Sequence, residues 1–123
     1  QMLIVDAHLD LSMNALQLNR DLRQSAYTIR TLEQAVPGKG RGQNTVAFPE
    51  MREGKIALSI ATLIARSTGR PVPHIDYQSA AQAYGMAHGQ LAYYRALEMD
   101  SEIRIIGCLT SLLSINTNTY ITF

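Results

Sequence analysis

After Gln1 the chain begins with Met2-Leu3-Ile4-Val5-Asp6-Ala7-His8-Leu9-Asp10. Residues 2–5 form a short apolar run, and we expect this strand and the second apolar run at residues 56–65 to be buried on both faces of a parallel sheet. Extended backbone points residues two apart to the same side, so His8 and Asp10 are expected to project together from the end of this strand. Imidazole nitrogen and carboxylate oxygen are ligands that zinc and similar ions accept. The sequence therefore predicts part of a metal site at the carboxyl end of a first strand.

The same two residues have a simpler interpretation. A His and an Asp two residues apart often occur by chance, and a solvated loop accommodates both. The position of the pair, directly after an apolar first strand, favours the metal site.

Composition excludes several classes of function. The chain has 123 residues, which suits one small domain, with 46% hydrophobic residues, 17% charged residues and a net charge of +1. These values argue against disorder and against an acidic tail. The 11 Lys and Arg residues are spread along the chain, whereas recognition of a phosphate backbone needs them clustered. We therefore expect no nucleic-acid partner.

Nothing in the sequence indicates export or membrane insertion. There is no basic-then-apolar leader and no apolar run near the about 20 residues that span a bilayer. The single Cys108 cannot form an internal disulfide, which fits either a reducing compartment or a protein that simply does not use the bond. We expect a cytoplasmic protein without a transmembrane segment, any leader or anchor lying outside this chain.

The first half of the chain alternates strand and helix patterns. Residues 11–18 contain few breakers and predict a short helix or a turn. Residues 20–43 are polar and then Gly-rich, and we interpret them as a long flexible excursion because Gly and Pro clusters signal turns. The glycines at 38–42 lack the spacing of a dinucleotide or P-loop phosphate site.

The following elements suggest a parallel sheet. Pro49 suits a first helical turn and Gly54 suits its end, so residues 48–54 predict a short helix. Residues 56–65 predict a second buried strand. Ser79 and Gln82 form a capping-box pattern that begins a helix running to about residue 99, and residues 103–106 predict a third strand. The apolar stripe of that helix comprises Ala80, Ala83, Tyr84, Ala87, Leu91, Tyr94 and Leu97. This alternation favours right-handed parallel β/α units and an α/β fold.

Several motifs, in this order, resemble the start of the membrane dipeptidase (renal dipeptidase) family. They are Asp6-Ala7-His8-Leu9-Asp10-Leu11 after a short strand, Phe48-Pro49-Glu50-Met51-Arg52-Glu53-Gly54 before the second strand, and the helix with Gln90-Leu91-Ala92-Tyr93-Tyr94. The resemblance covers residues 2–106.

The resemblance implies a fold, an activity and a cofactor. Family members are metal-dependent hydrolases on a (β/α)8 TIM barrel that cleave dipeptides, typically with two Zn²⁺ ions. Their first-strand His-x-Asp, matched here by His8 and Asp10, supplies ligands to one ion. A bridging Glu and two His come from later strands, so only part of one site is present here. The substrate implied is a dipeptide, and homo-oligomerisation of the full-length form is left open.

The chain is shorter than such a barrel, which needs about 250 residues. From Gly107 the family pattern is lost and the sequence becomes rich in Thr, Asn and Ile. We therefore predict two parts. Residues 1–106 are the N-terminal portion of a dipeptidase-like barrel, comprising its first β/α units and incomplete in this chain. Residues 107–123 are an atypical tail from truncation or a frame change, and the chain is predicted to be inactive alone.

Other candidate residues have simpler interpretations. The His74-Ile75-Asp76 spacing lies in a Pro-flanked connection, where Asp76 is expected to help start the following helix. His88 is expected to pack or face solvent. Glu53 is not expected to be the bridging Glu of the family. It precedes its strand, whereas barrel enzymes carry out their chemistry at the opposite, carboxyl end of the strands. The residues without an evident base partner for a nucleophilic role are Ser12, Ser59 and Cys108.

Two classes of function remain open. The first is a zinc-dependent dipeptidase in which His8 and Asp10 bind the metal. The second is a small non-enzymatic α/β binding or interaction module in which the pair is incidental. If the chain is a fragment of a barrel, its strands with open edges and few covering helices predict association or poor solubility in isolation.

Overall fold

The computed structural model describes residues 2–70, 72, 76–107 and 120–122. Its elements, in chain order, are β1 (Ile4–Leu9), α1 (Leu11–Gln17), α2 (Ala26–Leu32), α3 (Phe48–Glu53), β2 (Ile56–Ala61), α4 (Ala80–Met99), β3 (Arg104–Ile105) and β4 (Tyr120–Thr122). The fold is mixed α/β, as the alternation of patterns predicts.

The strands form one parallel sheet in the order β1-β2-β4-β3. β1 pairs with β2 through Asp6 opposite Ser59 and Leu9 opposite Ala61, with irregularities on both sides of the Asp6 pairing. The connection from β1 to β2 carries α1, α2 and α3, which makes it a crossover of the kind parallel strands require. β4 lies between β2 and β3, so residues from the predicted tail contribute to the sheet.

The buried core lies between the helices and one face of the sheet. Its members are Leu11, Ala15, Leu22, Ala26, Ile29, Ala47, Phe48, Met51, Ala61, Tyr94, Leu97 and Ile103. In β2 the alternate residues Ala57, Ser59 and Ala61 are buried, whereas Ile60 is 40% exposed. Val5 in β1 is 63% exposed. The expectation that both strands are buried on two faces is therefore wrong, because the described helices pack into a single core on one side.

The strand boundaries differ from the predicted ones by a few residues. β1 begins at Ile4 and continues to Leu9, so His8 lies in the strand and Asp10 follows it directly. β2 ends at Ala61, short of residue 65, and β3 is shorter than 103–106. The sequence predicts a strand only over the apolar residues 2–5, because Asp6 and His8 interrupt the apolar run.

The predicted helices at residues 11–18, 48–54 and 79–99 are confirmed. α3 has Pro49 in its first turn and Gly54 at its end. Ser79 begins α4, and its side chain and that of Gln82 form the reciprocal bonds of a capping box. The predicted apolar stripe of α4 is wrong in the first half of the helix: Tyr84 is 68% exposed, and burial is confined to Gln90, Tyr94 and Leu97.

Residues 20–43 do not form the flexible excursion predicted from their composition. They contain α2, which Ser25 caps by accepting a bond from the Thr28 backbone. Glu33 follows it and forms two bonds with Arg20, at 2.7 Å to Nε and 2.9 Å to Nη2, and the two side chains are only 6% and 5% exposed. Arg41 and the Gly42 backbone N–H also donate to Glu33. A buried ion pair thus fixes the Gly-rich turns against α1 and α2.

Candidate metal centre

His8 and Asp10 lie side by side, as their spacing predicts. The distance from His8 Nε2 to Asp10 Oδ1 is 3.2 Å, with 72% of the His8 side chain and 30% of the Asp10 side chain exposed. The extended backbone of β1 directs His8, and Asp10 takes its position as the residue before the first turn of α1. The pair therefore stands at the carboxyl end of a parallel strand and is open to solvent.

The donor pair fits one edge of a zinc site. Two ligands about 2.1 Å from a tetrahedral zinc lie about 3.4 Å apart, close to the 3.2 Å between His8 Nε2 and Asp10 Oδ1. Among the described residues, however, no group of three His, Cys, Asp or Glu side chains is placed to hold a metal ion. His8 and Asp10 thus supply two ligands, and a closed site requires more.

A cleft of about 390 Å³ borders the pair. Asp6 and Glu50 also line it and add negative charge that favours a cation over an anion. Both carboxylates have local partners: Asp6 Oδ1 accepts from the His8 backbone N–H at 2.9 Å, and Glu50 Oε2 accepts from the Ala26 backbone N–H at 3.1 Å. These bonds hold the two carboxylates in structural contacts, and neither completes a three-ligand group with His8 and Asp10.

Two neighbouring residues fix the backbone and side chain of Asp10. Asn14 donates from its side chain to the Asp10 carbonyl at 2.9 Å. Thr62, directly after β2, contacts Asp10 Oδ1 through its hydroxyl. Asn14 in turn accepts from Arg20 Nη1 at 2.6 Å. Asp10 is therefore connected through Asn14 to the buried Arg20–Glu33 pair.

The Arg20–Glu33 contact has a clear electrostatic consequence. The Arg20 guanidinium, supported by the Gly42 backbone N–H and by Arg41, lowers the pKa of Glu33 from 4.5 to about 2, against the opposing effect of burial. Glu33 therefore stays ionised at any pH near neutrality. The Arg20–Glu33 ion pair, which is connected to Asp10 through Asn14, stays intact over the same range.

Behind the pair, α4 brings buried polar side chains against the carboxyl end of β2. Tyr94 Oη accepts from the Ser12 backbone N–H at 3.0 Å and donates to the Thr62 carbonyl at 3.1 Å. Gln90 bonds both backbone groups of Ile64 at 2.7 Å. Burial raises the pKa of Tyr94, so its hydroxyl stays protonated and able to donate. We call Ser12, Gln90 and Tyr94 the polar cluster.

The other sequence candidates lie away from this centre or outside the described residues. His74 and Cys108 are among the residues that the structure does not describe. The prediction that Asp76 helps start α4 is wrong. Its carboxylate instead accepts from the Thr68 backbone N–H at 2.8 Å and also contacts the Thr68 hydroxyl. Ser79 has the capping role because it is directly adjacent to the helix.

Among the described residues, no metal-ligand group and no nucleophile–base pair includes His88, Glu53, Ser12 or Ser59. The His88 ring contacts the Tyr84 ring in a tilted arrangement, with 4.2 Å between the ring centroids, on the exposed side of α4. Glu53 is exposed at the end of α3, before β2. Ser12 Oγ lies 3.1 Å from the Thr62 carbonyl and 3.2 Å from Gln90 Oε1, a structural use of its hydroxyl. Ser59 is fully buried in β2.

Comparison with protein-family models, with curated proteins and with solved structures gives no match for this chain. In the part of the chain that the structure describes, no helix is long and apolar enough to cross a membrane.

Proposed function

We propose that this chain carries the first β/α units of a zinc-dependent dipeptidase with a TIM-barrel fold, and that His8 and Asp10 are two of its metal ligands. The observation that supports this most directly is the 3.2 Å approach of His8 Nε2 to Asp10 Oδ1 at the carboxyl end of a parallel strand. Barrel enzymes build their active sites at that end of their strands. The resemblance of residues 2–106 to the membrane dipeptidases supplies the reaction.

Each of the two residues has a defined role in this proposal. The His8 imidazole offers a nitrogen ligand, and Asp10 offers a negative charge that favours a divalent cation. A zinc ion bound there would polarise the scissile carbonyl as a Lewis acid and lower the pKa of a water molecule bound to it. The carboxylates of Asp6 and Glu50 deepen the negative potential of the cleft, so they favour binding of the cation.

Among the described residues, His8 and Asp10 are the only two ligands of the proposed zinc site. Two protein ligands leave a zinc ion mostly hydrated, so the chain alone should bind zinc weakly and hydrolyse no dipeptide at a useful rate. The resemblance implies that a Glu and two His from later strands complete the sites. In a barrel with its strands in chain order, β3 would lie beside β2, where β4 lies in this structure.

A chimera tests the proposal. Residues 1–106 are fused in frame to the later strands of a membrane dipeptidase, and hydrolysis of a dipeptide is measured with zinc present. We expect an active enzyme, with His8→Ala and Asp10→Ala each losing at least about 100-fold in rate because each removes a ligand. His88→Ala is the matched control, since that histidine is exposed on α4.

The outcomes separate the two classes of function. An active, folded chimera whose His8→Ala and Asp10→Ala variants keep nearly full rates would contradict the ligand assignment. A folded chimera without activity, and without zinc binding that depends on His8, would favour the non-enzymatic α/β interaction module.

A further inference from the structure

Thr62 lies directly after β2, and its polar groups join the two sides of the candidate metal centre. Its backbone N–H donates to the Leu9 carbonyl at 3.3 Å, which ties the ends of β1 and β2 together. Its hydroxyl contacts Asp10 Oδ1, and its carbonyl accepts from Tyr94 Oη at 3.1 Å. One residue therefore connects the exposed carboxylate with the buried polar cluster.

The hydroxyl of Thr62 has one proton and two acceptors within reach. The Leu9 carbonyl is 3.4 Å from Oγ1, and Asp10 Oδ1 is closer. A charged carboxylate is also the stronger acceptor, so the proton is donated to Asp10. A carboxylate oxygen has more than one lone pair, which lets Oδ1 accept this bond and still face His8 Nε2.

The polar cluster fixes the position of Thr62 from the buried side. Tyr94 and Ser12 are fully buried, and both lie within 3.1 Å of the Thr62 carbonyl. Gln90 holds Ile64, two residues further on, through two bonds of 2.7 Å. The backbone on both sides of Thr62 is thus held in place, so its hydroxyl is presented to Asp10 without a large loss of conformational freedom.

We propose that Thr62 is the positioning residue for Asp10, which holds the carboxylate beside His8 for a divalent cation. The inference rests on the proposed function, because the cation is the one that His8 and Asp10 bind there. Hydrogen bonds to metal-binding carboxylates orient them, and loss of such a partner typically weakens metal affinity by 10- to 100-fold.

The test compares Thr62→Val with Thr62→Ser in the full chain. Valine keeps the shape and removes the donor, whereas serine keeps the hydroxyl. Zinc is titrated into each protein, and the His8 imidazole signals are followed by NMR. We expect the zinc dissociation constant to rise by about 10-fold or more in Thr62→Val and to stay near that of the unsubstituted chain in Thr62→Ser.

Two results would overturn the inference. One is a folded Thr62→Val protein, checked by its backbone amide spectrum, that binds zinc as the unsubstituted chain does. The other concerns the unsubstituted chain and applies even if Thr62→Val does not fold: a Thr62 hydroxyl proton that exchanges with water as fast as an exposed threonine, with no NMR correlation to the Asp10 carboxylate.

The same measurements keep the two proposals apart. If zinc leaves the His8 signals of the unsubstituted chain unchanged at millimolar concentration, the metal-site proposal fails while the hydroxyl measurement still decides the Thr62–Asp10 contact. If zinc shifts those signals equally in the unsubstituted chain and in Thr62→Val, the metal site stands and the positioning role of Thr62 fails.

Discussion

The His8–Asp10 pair and the Arg20–Glu33 pair both join a basic side chain to an acidic one, but their surroundings differ. Arg20 and Glu33 are buried, and the rest of their bonding capacity is occupied by backbone groups and by the side chains of Asn14, Asn44 and Arg41. His8 is largely exposed, and Asp10 Oδ1 accepts from Thr62 beside an open cleft. A pair with its bonding capacity filled inside the protein stabilises the fold, whereas a pair open to solvent remains available to a ligand.

The two pairs are connected, and this gives the buried one a role in the site. Arg20 donates to Asn14 Oδ1, and Asn14 donates to the Asp10 carbonyl. Changes at the buried pair should therefore affect stability first and the metal centre only through it. Changes at the exposed pair should affect metal binding with the fold intact.

The largest expected effect comes from breaking the buried pair. Glu33→Gln removes the charge that Arg20 and Arg41 face, and an unpaired buried charge destabilises a protein by about 3 kcal/mol. Chemical denaturation monitored by circular dichroism measures the loss. Asp21→Asn is the matched control, because the Asp21–Arg23 pair is exposed and should contribute less than about 1 kcal/mol. Equal losses in both variants would contradict the comparison.

Low pH should break the same pair without a mutation. The pKa of Glu33 is lowered from 4.5 to about 2, so the unfolded state binds the proton more readily than the folded state. The stabilisation is complete above about pH 4.5 and is lost as the pH falls toward 2. The free energy of unfolding, measured between pH 6 and pH 2, should therefore fall more steeply for the unsubstituted chain than for Glu33→Gln. Parallel curves for the two proteins would show that protonation of Glu33 does not cause the loss of stability at low pH.

A smaller effect is expected from the polar cluster. Tyr94→Phe leaves the Ser12 backbone N–H without this acceptor and the Thr62 carbonyl with one donor fewer, which costs about 1–2 kcal/mol for buried groups. Thermal unfolding measures this loss. Tyr84→Phe on the exposed side of α4 should change stability by less than about 0.5 kcal/mol, and a loss as large as that of Tyr94→Phe would contradict the network.

Local patterns predict those parts of the fold that depend on neighbouring residues. Spacings of a few residues predict the capping box at Ser79, the short helix with Pro49 in its first turn and the approach of His8 to Asp10, and all three are confirmed. The continuation of β1 through Asp6 and His8 could not be predicted from an apolar run, because the exposed edge of a sheet accepts polar residues.

The support of the site depends on contacts distant in sequence. Ser12 reaches Thr62 and Gln90 across 50 and 78 residues, and polar residue types are usually taken to face solvent. One local signal could have identified Gln90 as buried, since it lies four residues before Tyr94 and seven before Leu97 on one helical face. Arg20 and Glu33 carried no such signal, because their burial requires the Gly-rich turns to fold over them.

Zinc binding tests the central claim most directly, and here the expected effect on stability is the smallest. Isothermal titration of zinc into the full chain should show one weak site, lost in His8→Ala and in Asp10→Ala and kept in His88→Ala. The melting temperature of His8→Ala without zinc should stay unchanged within error, since its side chain is exposed. Equal zinc affinity in the unsubstituted chain and in both His8→Ala and Asp10→Ala would contradict the assignment of this pair as metal ligands.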